Sequence, residues 1–352
     1  MKTLKLSLRL MSFIQSFWSL LTNVLRRQRD IWLSTEKLPN VSFKRLVMDE
    51  PHTDFIYCHG AITEVLKFGS CHLHSGHRVL FLIIPGNPGV VGFYMTFMQT
   101  LHNMFGYRHP VWAVSHAGHC APPDSMDMVE GTEVDVFGLS GQVEHKLGFL
   151  RENLPRETSL VLVGHSIGCY IILEMMKRDP ELKVLKAVML FPTIERMAQT
   201  PQGKVMTPVL CHMRYVAYLP LFLLSLLPDR LKSSLIKLVL GGIRYLDLTS
   251  NDKTNATVSL FVANGMYMGS QEMRKVLERD NVTIRKNLEK LIFYYGASDH
   301  WCPVQYYHDI KQDFPNGDIR MCKNGFRHAF VLDAGREVAK MVVEWIHGDL
   351  RT

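Results

Sequence analysis

The chain has 352 residues, of which 47% are apolar and 21% charged, an ordinary globular balance that excludes a disordered or low-complexity protein and leaves room for one elaborated domain or two. Its net charge of +7 is unevenly placed: the first acidic residue is Asp30, preceded by Lys2, Lys5, Arg9, Arg26, Arg27 and Arg29. Basic charge beside apolar residues points to an anionic membrane surface, and no nucleic-acid motif is present. The cysteines, at 58, 71, 120, 169, 211, 302 and 322, are odd in number and form no C-x-x-C pair, which argues for reduced thiols in a cytosol-facing protein and against a disulfide framework and a zinc site.

Residues 1–47 differ from the rest. Residues 10–25 form an uncharged run between Arg9 and Arg26, short for a bilayer span, which takes about 20 apolar residues. They read as a basic, apolar extension for membrane contact or targeting. Residues 55–57 and 61–68 read as a strand pair around His59-Gly60. Residues 79–84 (Val-Leu-Phe-Leu-Ile-Ile) form a buried strand that ends in Pro85-Gly-Asn-Pro-Gly89, too rich in glycine and proline for regular structure. A helix over 92–104, a strand over 110–114, a polar, acidic loop over 120–138 and a helix over 142–153 follow.

Residues 159–163 (Ser-Leu-Val-Leu-Val) are an apolar run that reads as a strand buried on both faces. Gly164-His-Ser-Ile-Gly168 follows at once, and 169–176 reads as a helix. This strand–turn–helix setting is what a G-x-S-x-G nucleophile elbow requires, with Gly164 and Gly168 keeping the tight turn free of side chains. A further strand over 185–191 completes the first run of alternation.

The alternation then stops. Residues 193–285 carry mainly helical pattern, and within them 215–228 is the most apolar stretch of the chain, broken by Pro220. An amphipathic helix over 232–240 follows. An insert at this point of a parallel sheet is the place of a helical lid, and the hydrophobic stretch 209–245 reads as its lipid-contacting part. Strands return at 290–295 and 318–322, with helices over 303–313 and 334–345. Strands alternating with helices predict a mostly parallel sheet covered by helices on both faces. The core is expected in 48–192 and 286–352.

Acyl transfer by a serine needs a base, a carboxylate to orient it, and donors for the oxyanion. In sheets of this type the chain order is serine, acid, histidine. Ser166, Asp299 and His328 fit, each following a strand. Asp299 could instead be a turn former and His328 a structural histidine; Asp309 and Asp313 sit in the following helix and fit the acid's role less well. His300 reads as a rim residue and His165 as packed beside the nucleophile. His116 and His119 suggest a metal pair, but no carboxylate or thiolate cluster completes a site, so no metal and no cofactor is expected. The oxyanion donors are expected to be the N–H of Ile167 and that of Asn87, with Gly86 allowing close approach; Pro85 and Pro88 have no N–H to give.

Ile84-Pro-Gly-Asn-Pro-Gly89, Ser115-His-Ala-Gly-His119, Gly138-Leu-Ser-Gly-Gln-Val-Glu-His-Lys146, Gly164-His-Ser-Ile-Gly168, Phe191-Pro-Thr-Ile-Glu-Arg196 and Tyr294-Tyr-Gly-Ala-Ser-Asp-His-Trp-Cys-Pro303 together resemble the lipid droplet-associated hydrolase family of α/β-hydrolases. The likeness runs from about Met48 to the C-terminus; the leader before it departs from the family's usual form. It implies a serine esterase acting on lipid esters such as cholesteryl esters, on the cytosol-facing surfaces of lipid droplets and the endoplasmic reticulum, with a role in neutral-lipid and cholesterol storage. It implies Ser166 as nucleophile, Asp299 as acid and His328 as base. The alternative is a droplet-organising protein with weak or vestigial hydrolase activity. Thioesterase or acyltransferase chemistry would use the same acyl-enzyme. Protein partners are not legible.

Overall fold

The sheet grows from a hairpin whose turn residues, His59 and Gly60, both take positive φ (50° and 77°), the backbone a two-residue hairpin turn demands. The structure, a computed structural model, describes residues 50–71, 73, 79–120, 123, 126, 135–212 and 253–350, with the backbone alone over 253–262. The hairpin is β1 (His52–Cys58) and β2 (Ala61–Phe68), paired antiparallel. Then come β3 (Val79–Ile84), a 3-10 turn at Val91–Tyr94, α1 (Met95–Met104), β4 (Val111–Val114), α2 (Leu139–Asn153), β5 (Ser159–His165), α3 (Ile167–Arg178) and β6 (Val184–Leu190). Between β6 and β7 the described helices are α4 (Pro201–Cys211), α5 (Lys253–Lys275) and α6 (Asn281–Lys286). The chain closes with β7 (Leu291–Tyr295), α7 (Val304–Asp313), β8 (Asp318–Met321) and α8 (Gly335–Ile346).

The strands form one eight-stranded sheet in the order β1-β2-β4-β3-β5-β6-β7-β8. β2 meets β4 antiparallel, and every pairing from β4 to β8 is parallel. The central strands are apolar without alternation, because helices cover both faces: Leu80 to Ile84 in β3 and Ala187 to Leu190 in β6 are fully buried. The closing helix shows the opposite pattern. Val338, Ala339, Val342, Val343 and Ile346 lie on one buried stripe, at the spacing of a helix that turns one face inward.

All eight strands expected from the sequence are present. Of the other expectations, the leader over 1–47, the apolar stretch over 215–228 and the amphipathic helix over 232–240 lie outside the described residues, as does most of the loop over 120–138. The chain divides into two compact units. Asp49–Leu219 with Thr257–Thr352 carries the sheet; Met1–Met48 with Pro220–Ala256 lies outside the described residues except for the first turn of α5. No described helix is long and apolar enough to cross a membrane.

Candidate active site

β5 lies between β3 and β6 and ends at His165. The next residue, Ser166, has φ 55° and ψ −121°, a conformation that an L residue adopts rarely and only when its surroundings impose it. Its N–H donates to the Leu190 carbonyl at 3.0 Å, and α3 starts immediately after it. The turn is as tight as the glycines suggested. A Cβ on Gly168 would lie 2.2 Å from the Ile84 carbonyl oxygen, and one on Gly164 would lie 2.9 Å from the Cys169 nitrogen. Neither site can hold a side chain.

Asp299 and His328 stand in the loops that follow β7 and β8. His328 Nε2 lies 2.8 Å from Ser166 Oγ, and His328 Nδ1 lies 2.6 Å from Asp299 Oδ2. The second Asp299 oxygen accepts the N–H groups of Trp301 (2.7 Å) and Cys302 (3.2 Å). The Cys302 thiol donates to Oδ2 at 3.0 Å. Burial alone would raise the Asp299 carboxyl, but the facing His328, its hydrogen bond, the thiol and the Trp301 N–H together hold it below the usual carboxylate range. An ionised Asp299 accepts only, so His328 Nδ1 carries a proton and Nε2 presents its lone pair to the Ser166 hydroxyl.

The turn after β3 comes against the same serine. A Cβ on Gly86 would lie 3.1 Å from Ser166 Cβ, which places the Gly86–Asn87 backbone beside Ser166. Ile167 is the first residue of α3, where an N–H has no acceptor inside the helix. The Asn87 side chain is held by α5. Its Nδ2 donates to the Gly265 carbonyl (2.9 Å) and to Glu272 Oε1 (2.8 Å), both in α5.

The other candidates fall elsewhere. His300 is exposed, and its carbonyl accepts from the Gln202 N–H. Asp309 and Asp313 pair with Arg196 and Arg279. His116 and His119 are buried, and His119 Nδ1 accepts the Gly89 N–H at 3.0 Å; burial pushes His119 down to about 3, so it is neutral. Among the described residues, the group of His, Cys, Asp or Glu side chains close enough to hold a metal is Asp299, Cys302 and His328, and its atoms are already joined to one another and to Ser166 by hydrogen bonds. Sequence reasoning missed Cys302, Tyr94 and Glu272. Cys302 alone had a local signal, three residues after the acid, where an aspartate side chain gathers the following N–H groups.

A mostly parallel sheet with a serine on a strained strand–helix turn, and an acid and a histidine after two later strands, defines an α/β-hydrolase fold. Solved structures agree. A bacterial membrane phospholipase A matches at TM-score 0.54 and 15% identity over 100% of both chains. An epoxide hydrolase from Vigna radiata matches at TM-score 0.53 and 14% identity, over 86% of this chain and 99% of that one. At such identity the likeness concerns the fold alone. The sequence comparisons are narrower: the lipid-droplet associated hydrolase family model matches residues 77–331. The lipid droplet-associated hydrolase of Gallus gallus is 55% identical over 323 residues, covering 87% of this chain and 99% of that protein. The chain belongs to the lipid-droplet associated hydrolase family.

Proposed function

We propose that the protein is a serine hydrolase that cleaves carboxylic esters of neutral lipids, cholesteryl esters among them, at the surface of lipid droplets. The observation that carries the reading is the continuous chain from Asp299 through His328 to Ser166, with contacts of 2.6 and 2.8 Å. His328 Nε2 takes the hydroxyl proton as Ser166 Oγ bonds to the ester carbonyl carbon. The charge that gathers on the carbonyl oxygen is met by the N–H groups of Ile167 and Asn87, reinforced by the N-terminus of α3. As the tetrahedral intermediate collapses, the carbon–alkoxy bond breaks and His328 gives its proton to the departing alcohol. Water then attacks the acyl-enzyme while His328 takes one of its protons. The acid leaves, and Ser166 regains a proton from His328. Asp299 keeps Nδ1–H aimed throughout and stabilises the imidazolium. No cofactor enters any step.

The droplet surface is supported by the names of the relatives and by the apolar stretch 209–245, which suits a monolayer better than a bilayer span. Access from a reducing cytosol, on droplets and on the endoplasmic reticulum, is supported by seven free cysteines. Residues 193–285 act as the lid in this reading. The test is hydrolysis of a cholesteryl ester emulsion and of a short soluble ester by the wild type and by Ser166→Ala. Turnover should fall at least about 1,000-fold in the variant. Equal turnover in the variant, or a folded wild type inert toward both esters, would contradict the reading.

A further inference from the structure

Behind the serine lies a second chain of hydrogen bonds that the reaction as described does not use. The Gly86 N–H contacts Tyr94 Oη at 2.8 Å. Tyr94 Oη contacts His165 Nδ1 at 2.7 Å. His165 Nε2 contacts the backbone carbonyl of His328 at 2.8 Å. We propose that Tyr94 and His165 are positioning residues, a relay that sets the loop carrying His328 relative to the turn carrying Asn87. The proposal rests on the reading of Ser166, Asp299 and His328 as the catalytic residues.

The two ends fix every direction in the chain. A backbone N–H only donates, so Gly86 donates to Tyr94 Oη. A backbone carbonyl only accepts, so His165 Nε2 carries a proton and donates to His328. Burial, with the nearby His328 ring adding to it, pushes His165 down to about 3, so the ring is neutral and has one N–H. Nδ1 is therefore the acceptor, and the Tyr94 hydroxyl hydrogen points at it. Tyr94 is 3% exposed and His165 6%, so water does not substitute for either partner.

The relay touches three of the four loops of the site, those after β3, β5 and β8. Gly86 precedes Asn87, His165 precedes Ser166, and the last acceptor belongs to the base itself. The rings around His165 leave it little freedom: Phe330 lies 5.0 Å away edge-on, Tyr94 5.9 Å edge-on, and His328 5.4 Å. A neutral His165 also matters for charge. It puts no second cation beside His328 when that ring takes up the serine proton.

Tyr94→Phe and His165→Leu keep apolar bulk but leave the Gly86 N–H or the His328 carbonyl without a partner. His165→Gln retains an amide that can still donate to the His328 carbonyl. In the full chain, on a short soluble ester, Tyr94→Phe and His165→Leu should lower kcat roughly 10- to 100-fold with KM within about 2-fold, as expected for misplaced groups rather than lost binding. His165→Gln should recover part of the loss. Variants with kcat within about 2-fold of a reactive wild type, a loss carried by KM, or a glutamine variant no better than leucine would each overturn the relay alone. Nitrogen-15 resonances of the wild-type histidines give a readout independent of turnover. One ring should keep its proton on Nε2 from about pH 5 to about pH 9, and Tyr94→Phe should shift its Nδ1. A His165 ring that titrates in that range overturns the relay, whether or not the protein turns over ester.

Discussion

Ser166 holds its place at the head of the sheet with a backbone of φ 55°, and that strain, about 1–3 kcal/mol, persists only where packing over-determines the turn. Gly164 and Gly168 supply that condition by letting α3 close on β3 and β5. Ser166, Asp299 and His328, which the structure brings into contact, each carry a local signal in the sequence: a G-x-S-x-G after an apolar run, and an aspartate and a histidine just past later strands. Glu272 was not legible, because its role depends on a contact with Asn87 that is distant in sequence. Burial pushes Glu272 up to about 7, against the opposing hydrogen bond from Asn87. A carboxyl raised in the folded state contributes its stability below its unfolded value and loses it as the pH rises through the folded one, here between about 4.5 and about 7. The difference amounts to as much as about 3 kcal/mol. Glu272→Gln still accepts from Asn87 and never ionises. It should therefore unfold at a higher temperature than the wild type at about pH 8 and show no such advantage at about pH 4.5. Thermal melts at the two values check this; an equal change at both would show that folding leaves the carboxyl's pKa unshifted.

At the scale of elements, the strands and most helices follow from apolar period and from glycine and proline, and the differences lie at ends set by tertiary partners. β1 begins at His52, three residues before the apolar signal at Phe55, because it pairs with β2 along its whole length and Lys67 reaches back to Asp54 at 2.6 Å. That cross-strand contact is invisible in either strand alone. α2 begins at Leu139 rather than 142. Asp135 Oδ1 accepts the Gly138 N–H at 2.9 Å and settles the entry to the helix from outside its apolar pattern. α4 starts at a clear cap: the Thr200 hydroxyl accepts the Gly203 N–H at 2.8 Å, and Pro201 opens the helix. Thr200→Ala should lower stability by about 1 kcal/mol, seen as a reduced urea midpoint with an unchanged slope. A change in slope would mean that the cap also holds more distant structure in place.

At the scale of the molecule, one sheet brings Ser166, Asp299 and His328 together from the carboxyl ends of three strands, across 162 residues of chain between Ser166 and His328. That convergence was legible from chain order alone, because in a parallel sheet all strand ends of one kind lie on one edge. In the proposed reading the apolar stretch 209–245 docks the protein on lipid. Replacing Leu223 and Leu224 with aspartate should move the protein from droplets to cytosol, read by fractionation of cells fed fatty acid; a variant that stays on droplets assigns attachment to another segment. The central claim, that Ser166 is an activated nucleophile, is tested most directly by a fluorophosphonate probe on the purified protein, wild type beside Ser166→Ala. Labelling of the wild type and none of the variant is the expected result. Labelling of both, or a folded wild type that stays unlabelled even with droplets present, would contradict the account.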